Sequence, residues 1–197
     1  ADIIVGLLTL EKGGILVDGK ILTQKNYRQF KKNVGFVSQN IFLLDASIRE
    51  NIAFGVDLDE IVDEKLMNAI KQASLEDLLK DLPNGIQTEV GERGIQLSGG
   101  QVQRIAIARA LYTECEILIF DEATSALDGI TENNILDSIT NLQGTKTIIM
   151  IAHRLTTLTG CDAIYVLDKG KVNDVGNFET LSKNNKIFKK MLKDDQY

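Results

Sequence analysis

Cysteine, proline, histidine and tryptophan are scarce in this 197-residue chain, at two, one, one and none. Cys115 and Cys161 are too few and too far apart to build a disulfide framework, and no zinc-type spacing surrounds them. Both are therefore expected in the core of a protein kept in a reducing, cytosolic setting. Long apolar runs are lacking too. Ile148 to Ala152 is among the longest and falls far short of the roughly 20 residues that span a bilayer. The opening residues do not read as a targeting segment, so any membrane part is expected elsewhere. Basic residues are outnumbered, 22 Lys and Arg against 28 Asp and Glu, and the net charge of −6 opposes broad attraction to nucleic acid or anionic lipid. No internal repeat or low-complexity tract interrupts the chain.

What is present is enough apolar residue, 44%, for one globular α/β domain. Four short apolar runs read as strands: Val34 to Ser38, Glu116 to Phe120, Thr147 to Ala152 and Ala163 to Leu167. Asp168-Lys169-Gly170 turns the last of these into Lys171 to Val175, and amphipathic helices follow over Asn177 to Lys193. Helical patterns also cover Leu58 to Ala73 and Leu75 to Leu82, before the turn at Pro83-Asn84-Gly85. The lysines and apolars of Lys186 to Leu192 suit a solvated terminal helix better than a lipid-facing one.

Leu97-Ser98-Gly99-Gly100-Gln101 opens a helix that runs to Leu111. Ser98 offers a hydroxyl, Gly99 and Gly100 allow close backbone approach, and the helix start directs unpaired amides at the same point, so an anion is the expected guest. A flexible loop before a helix is the competing reading, and the flanks decide between them. Glu116 to Phe120 is a buried-strand pattern that ends in Asp121-Glu122, at the sheet edge where open α/β folds bind ligands. A carboxylate at Asp121 suits hydrated magnesium, and Glu122 points elsewhere from the next position. Gln39 and His153 each close another strand run.

LSGGQ at Leu97 to Gln101, followed by ILIFDEATSALD at Ile117 to Asp128 and later by His153, resembles the ATP-binding cassette (ABC) ATPases. The resemblance implies an α/β fold of the P-loop NTPase (RecA-like) type, a mostly parallel sheet with an inserted α-helical subdomain. Residues 1–39 and 113–197 would form the core, and about 40–112 the helical part with the signature. It implies ATP and Mg2+ as cofactors, with Asp121 and Gln39 at the metal. Glu122 would polarise the attacking water, and His153 would contact the γ-phosphate. Ser98, Gly99, Gly100 and Gln101 would complete the ATP site of a second domain in a head-to-tail dimer. Ser125-Ala126-Leu127-Asp128 would touch that partner, although Asp128 also suits a helix cap.

The largest departure from the family is a missing G-x-x-x-x-G-K-[ST] phosphate loop. Gly14 to Ile21 comes near, but Ile21 stands where Ser or Thr must bind metal, and Asp18-Gly19 reads as a hairpin turn with no helix at Lys20. Ala1 to Leu8 resembles the helix that follows the loop in the family. The chain is thus expected to be an N-terminally truncated domain, inactive by itself.

Ala46 to Gly55 and Thr88 to Gly94 resemble exporter-type domains, which implies a transmembrane domain as partner and a position on the cytoplasmic face of the cell membrane. Glu89, Glu92 and Arg93 are the candidates for relaying nucleotide state to it. Two other classes stay open: a soluble ABC ATPase acting on nucleic acid or ribosomes, and a half-domain that never hydrolyses ATP. No nucleic-acid partner is expected under the favoured reading. The substrate is not legible, because transmembrane cavities choose it.

Overall fold

Asp18 and Gly19 take left-handed backbone, at φ 49° and 73°, and so join β1 (Leu16–Val17) to β2 (Lys20–Ile21) as a tight antiparallel hairpin. The next helix, α1, spans Gln24–Lys32. No helix begins at Lys20, so the amides of Gly14 to Ile21 do not converge as a phosphate loop requires. This is a computed structural model, which describes residues 1–91, 94–122, 129–152 and 154–194. The chain divides into two units, Ala1–Ile151 and Ala152–Tyr197.

In the first unit, β3 (Val34–Val37) follows α1, and the short strand β4 (Ala46–Ser47) and α2 (Ile48–Ile52) come after it. The helical region then supplies α3 (Asp63–Gln72) and α4 (Glu76–Asp81), separated where Ser74 turns to φ 53°. Strand β5 (Glu89–Val90) pairs antiparallel with β4. Next come α5 (Gly99–Tyr112), β6 (Ile117–Asp121), α6 (Gly129–Thr140) and β7 (Thr147–Ile151). The three apolar runs form one parallel sheet in the order β3-β6-β7, with Val37 opposite Phe120 and Asp121 opposite Ile151. Leu118, Ile119 and Phe120 are buried in the central strand, as a strand covered on both faces should be. From Ile105 to Tyr112, α5 is buried nearly all round, so it serves as a core helix rather than a surface one.

Ala1 to Leu8 departs from expectation. It forms successive turns, with Ile4 and Val5 N–H both donating to the Ala1 carbonyl, and Gly6 takes φ 70°. A left-handed residue six positions in stops helical propagation before its costly nucleus is repaid.

The second unit holds a hairpin of β8 (Ile164–Asp168) and β9 (Lys171–Gly176), then α7 (Phe178–Asn184) and α8 (Lys186–Asp194). Asn185 divides the two helices. Its amide donates to Asn173 and Asp174 side chains, and its Oδ1 accepts from Phe188 N–H. Phe188 is buried and meets Phe178 edge-on at 5.5 Å.

Candidate nucleotide site

The parallel sheet carries the ends of β3 and β6 to the same edge, and there the expected residues meet. Gln39, two positions beyond β3, donates from Nε2 to Glu122 Oε2 at 2.7 Å, across 83 positions of sequence. Asp121 is the last residue of β6 and is half-buried. Glu122 follows it at φ 53°, a left-handed backbone that a branched-at-Cβ L-residue rarely adopts and that costs even an unbranched side chain about 1–2 kcal/mol. Its N–H donates to the Ile151 carbonyl at 2.9 Å, which fastens the turn to the end of β7.

Ser98 caps α5. Its Oγ accepts from Gln101 N–H at 3.3 Å, and Gln101 Oε1 accepts from Ser98 N–H at 2.8 Å, a reciprocal pair that holds the signature at the helix tip. Ser98 and Gly99 are exposed there. An anion seated on that tip would meet backbone amides and the positive end of a 14-residue helix.

Three residues escaped sequence reasoning. Gln103 is 2% exposed on α5, and its Nε2 donates to the Glu122 carbonyl at 3.3 Å. Its spacing from Ala106, Ile107 and Ala110 places it on the apolar face, and a polar residue there was the available signal. Asn51, fully buried, donates to the carbonyls of Leu44, Ala46 and Ser47 and accepts from Leu44 N–H. Arg109 then ties this knot to α5: it donates to Asn51 O, Asn51 Oδ1 and Phe42 O, and its guanidinium lies 4.8 Å from the Phe54 ring centroid. Burial lowers the pKa of Arg109 from its ordinary value.

The segment after Gln39 is also bound to the stretch that begins at Thr88. Strand β4 pairs with β5, and Ile95 N–H returns to the Glu89 carbonyl. A Cβ on Gly91 would lie 2.3 Å from Asp45 Oδ1, and one on Gly94 would lie 2.4 Å from the Glu89 carbonyl oxygen. Glu89 is exposed at this junction. Glu92, Arg93, Asp128 and His153 lie outside the described residues.

A parallel sheet with an acidic pair at its carboxyl edge, beside a serine-capped glycine helix, defines a nucleotide-binding domain of the P-loop NTPase class. The model of the family "ABC transporter" matches residues 1–125, and the chain belongs to that family. An uncharacterized ABC transporter ATP-binding protein, y4gM, of Sinorhizobium fredii is 44% identical over 175 residues, 89% of this chain and 30% of its own length. The ABC multidrug transporter mdr1 of Aspergillus fumigatus is 42% identical over 172 residues, 87% of this chain and 13% of its own. Among solved structures, a bacterial Atm1-family ABC exporter with ATP bound superposes with a TM-score of 0.89 at 37% identity. That match covers 100% of this chain and 34% of the exporter's. The chain thus spans about a third or less of the length of each, and its fold is that of an exporter's ATP-binding domain.

Proposed function

We propose that this chain is part of the ATP-hydrolysing motor of an exporter, and that Gln39, Asp121 and Glu122 are its hydrolytic edge. The observation that carries this reading is the 2.7 Å contact between Gln39 and Glu122, which unites two strand ends at the crevice where α/β sheets hold ligands. The donor set fits magnesium. Asp121 offers carboxylate oxygens, and Gln39, with its nitrogen turned to Glu122, presents the oxygen end of its amide; hard oxygen donors of this kind suit that ion. Magnesium, when bound with ATP, would offset the phosphate charge. Glu122 would orient the attacking water and take up its proton, and His153 would contact the γ-phosphate.

Ser98, Gly99, Gly100 and Gln101 would act on a second domain's ATP, because an exposed helix tip serves a partner better than its own crevice. Asp128 would touch that partner. Residues 1–39 and 113–197 would then be the core and about 40–112 the helical part. The knot of Asn51, Arg109 and the β4-β5 pair supports a relay from Gln39 to Glu89, Glu92 and Arg93, facing the transmembrane domain on the cytoplasmic side of the membrane.

Glu122→Gln tests the reading in the complete transporter. Turnover should fall by about 10²-fold or more while ATP still binds and the dimer stays closed, read by phosphate release and by cross-linking. Turnover at the parent rate would remove Glu122 from its role.

A further inference from the structure

We infer that Gln103 is a positioning residue for hydrolysis, holding the left-handed backbone of Glu122 from the signature helix. This rests on the reading of Glu122 as the water-orienting carboxylate. Among the contacts of Glu122, three bear on its backbone and reach. Its N–H goes to Ile151 at the end of β7, its carboxylate accepts from Gln39, and its carbonyl accepts from Gln103. The first two bonds fix where the residue sits and where its side chain reaches. The third fixes the peptide plane that leaves it, and that plane is where a residue at φ 53° would relax toward ordinary backbone.

Gln103 suits the task. It is 2% exposed on a helix otherwise packed with apolar side chains, and an amide there is retained at a desolvation cost that its hydrogen bonding must offset. It also stands five positions after Ser98 on the same rigid helix. The geometry of Glu122 is therefore set by the element whose tip carries the signature.

The first test uses the unmodified 197-residue chain in solution by nuclear magnetic resonance. The amide-to-α-proton coupling at Glu122 should report positive φ, and the Gln103 side-chain amide protons should show contacts to the backbone of residues 121–122. Absence of either overturns the inference without any variant.

Gln103→Met, which keeps the volume and removes the donor, should speed hydrogen exchange at the Glu122 amide by about tenfold while leaving Ile149 unchanged. In a Glu122→Gly background, where left-handed backbone carries no Cβ penalty, the same change should have a smaller effect. An unaltered Glu122 amide, or effects that simply add, would overturn the inference. In the complete transporter, Gln103→Met should lower kcat and leave KM for ATP in place. A lowered KM-based affinity with kcat intact would mark a merely structural role. Failure of the Glu122 assignment is separately visible, because Glu122→Gln would then turn over normally while the exchange results stood.

Discussion

Gly35 has no room for a methyl group. A Cβ there would lie 2.6 Å from Cys115 Sγ, 2.9 Å from Leu118 Cδ2 and 3.1 Å from the Ala110 carbonyl oxygen, because β3 runs directly against α5 and β6 at this point. Gly35→Ala should therefore destabilise the chain by about 1–3 kcal/mol, read as a lowered denaturant midpoint. Cys115→Ala removes the nearest of the three atoms, and the double variant should recover part of the loss. Purely additive losses in that cycle would show that the sulfur is not what Gly35 avoids. The expectation that Cys115 is a core residue is met, since it is buried with Sγ directed at the Ala110 carbonyl. Cys161 is only half-buried, and burial together with the charge of Asp162 raises its thiol pKa above the ordinary value, which keeps it a poor nucleophile.

Helices α2 and α5 begin with the same device and differ in one titratable group. Ser47 Oγ accepts from Glu50 N–H, and Glu50 Oε2 accepts from Ser47 N–H at 3.0 Å and from its hydroxyl at 2.6 Å. Ser98 and Gln101 repeat the pair with an amide in place of the carboxylate. The Ser47 hydrogen bonds hold the Glu50 carboxyl below its ordinary pKa. A lowered folded value means that stability from this cap is full above the unfolded carboxylate range and is lost as pH falls through the folded value. Protection of the Glu50 amide against exchange should thus decline on the acid side, whereas protection of the Gln101 amide should not follow that titration. Glu50→Gln should flatten the decline. An equal acid response at both helices would place its origin outside the cap. Such boxes are legible as Ser-x-x-Glu and Ser-x-x-Gln, and so was the start of α5; what spacing could not give was where each capped helix docks.

Across the whole molecule, strands were the most legible feature, because a parallel strand writes itself as an unbroken apolar run, although only β6 is buried through its centre and β7, expected to be buried, is half-buried with exposed ends. Val34 to Val37, Ile117 to Phe120 and Thr147 to Ile151 all lie in the sheet where their patterns placed them. The meeting of Gln39 with Glu122 was expected only through family resemblance, since a separation of 83 residues leaves no local trace. Gln103 and Arg109 were missed for a similar reason, since they bond backbone carbonyls of distant segments, which have no sequence identity of their own; Asn51 was missed because the carbonyls it bonds, four to seven positions before it, are equally anonymous in sequence. The turns at Ala1 to Leu8 went the other way, apolar enough for a helix but stopped by Gly6. Taken together, the 197 residues hold a carboxylate proposed to orient water and an exposed, serine-capped helix tip, yet no G-x-x-x-x-G-K-[ST] sequence. The backbone nest and lysine of that loop clamp the β- and γ-phosphates, and without them a positioned base has no positioned phosphate to serve. The chain by itself should therefore release phosphate from magnesium-ATP no faster than its own Glu122→Gln variant, measured side by side in a continuous phosphate assay. Magnesium-dependent release that Glu122→Gln abolishes would mean that these residues assemble a phosphate clamp from other groups, and Lys20, after the β1-β2 turn, would be the first side chain to substitute.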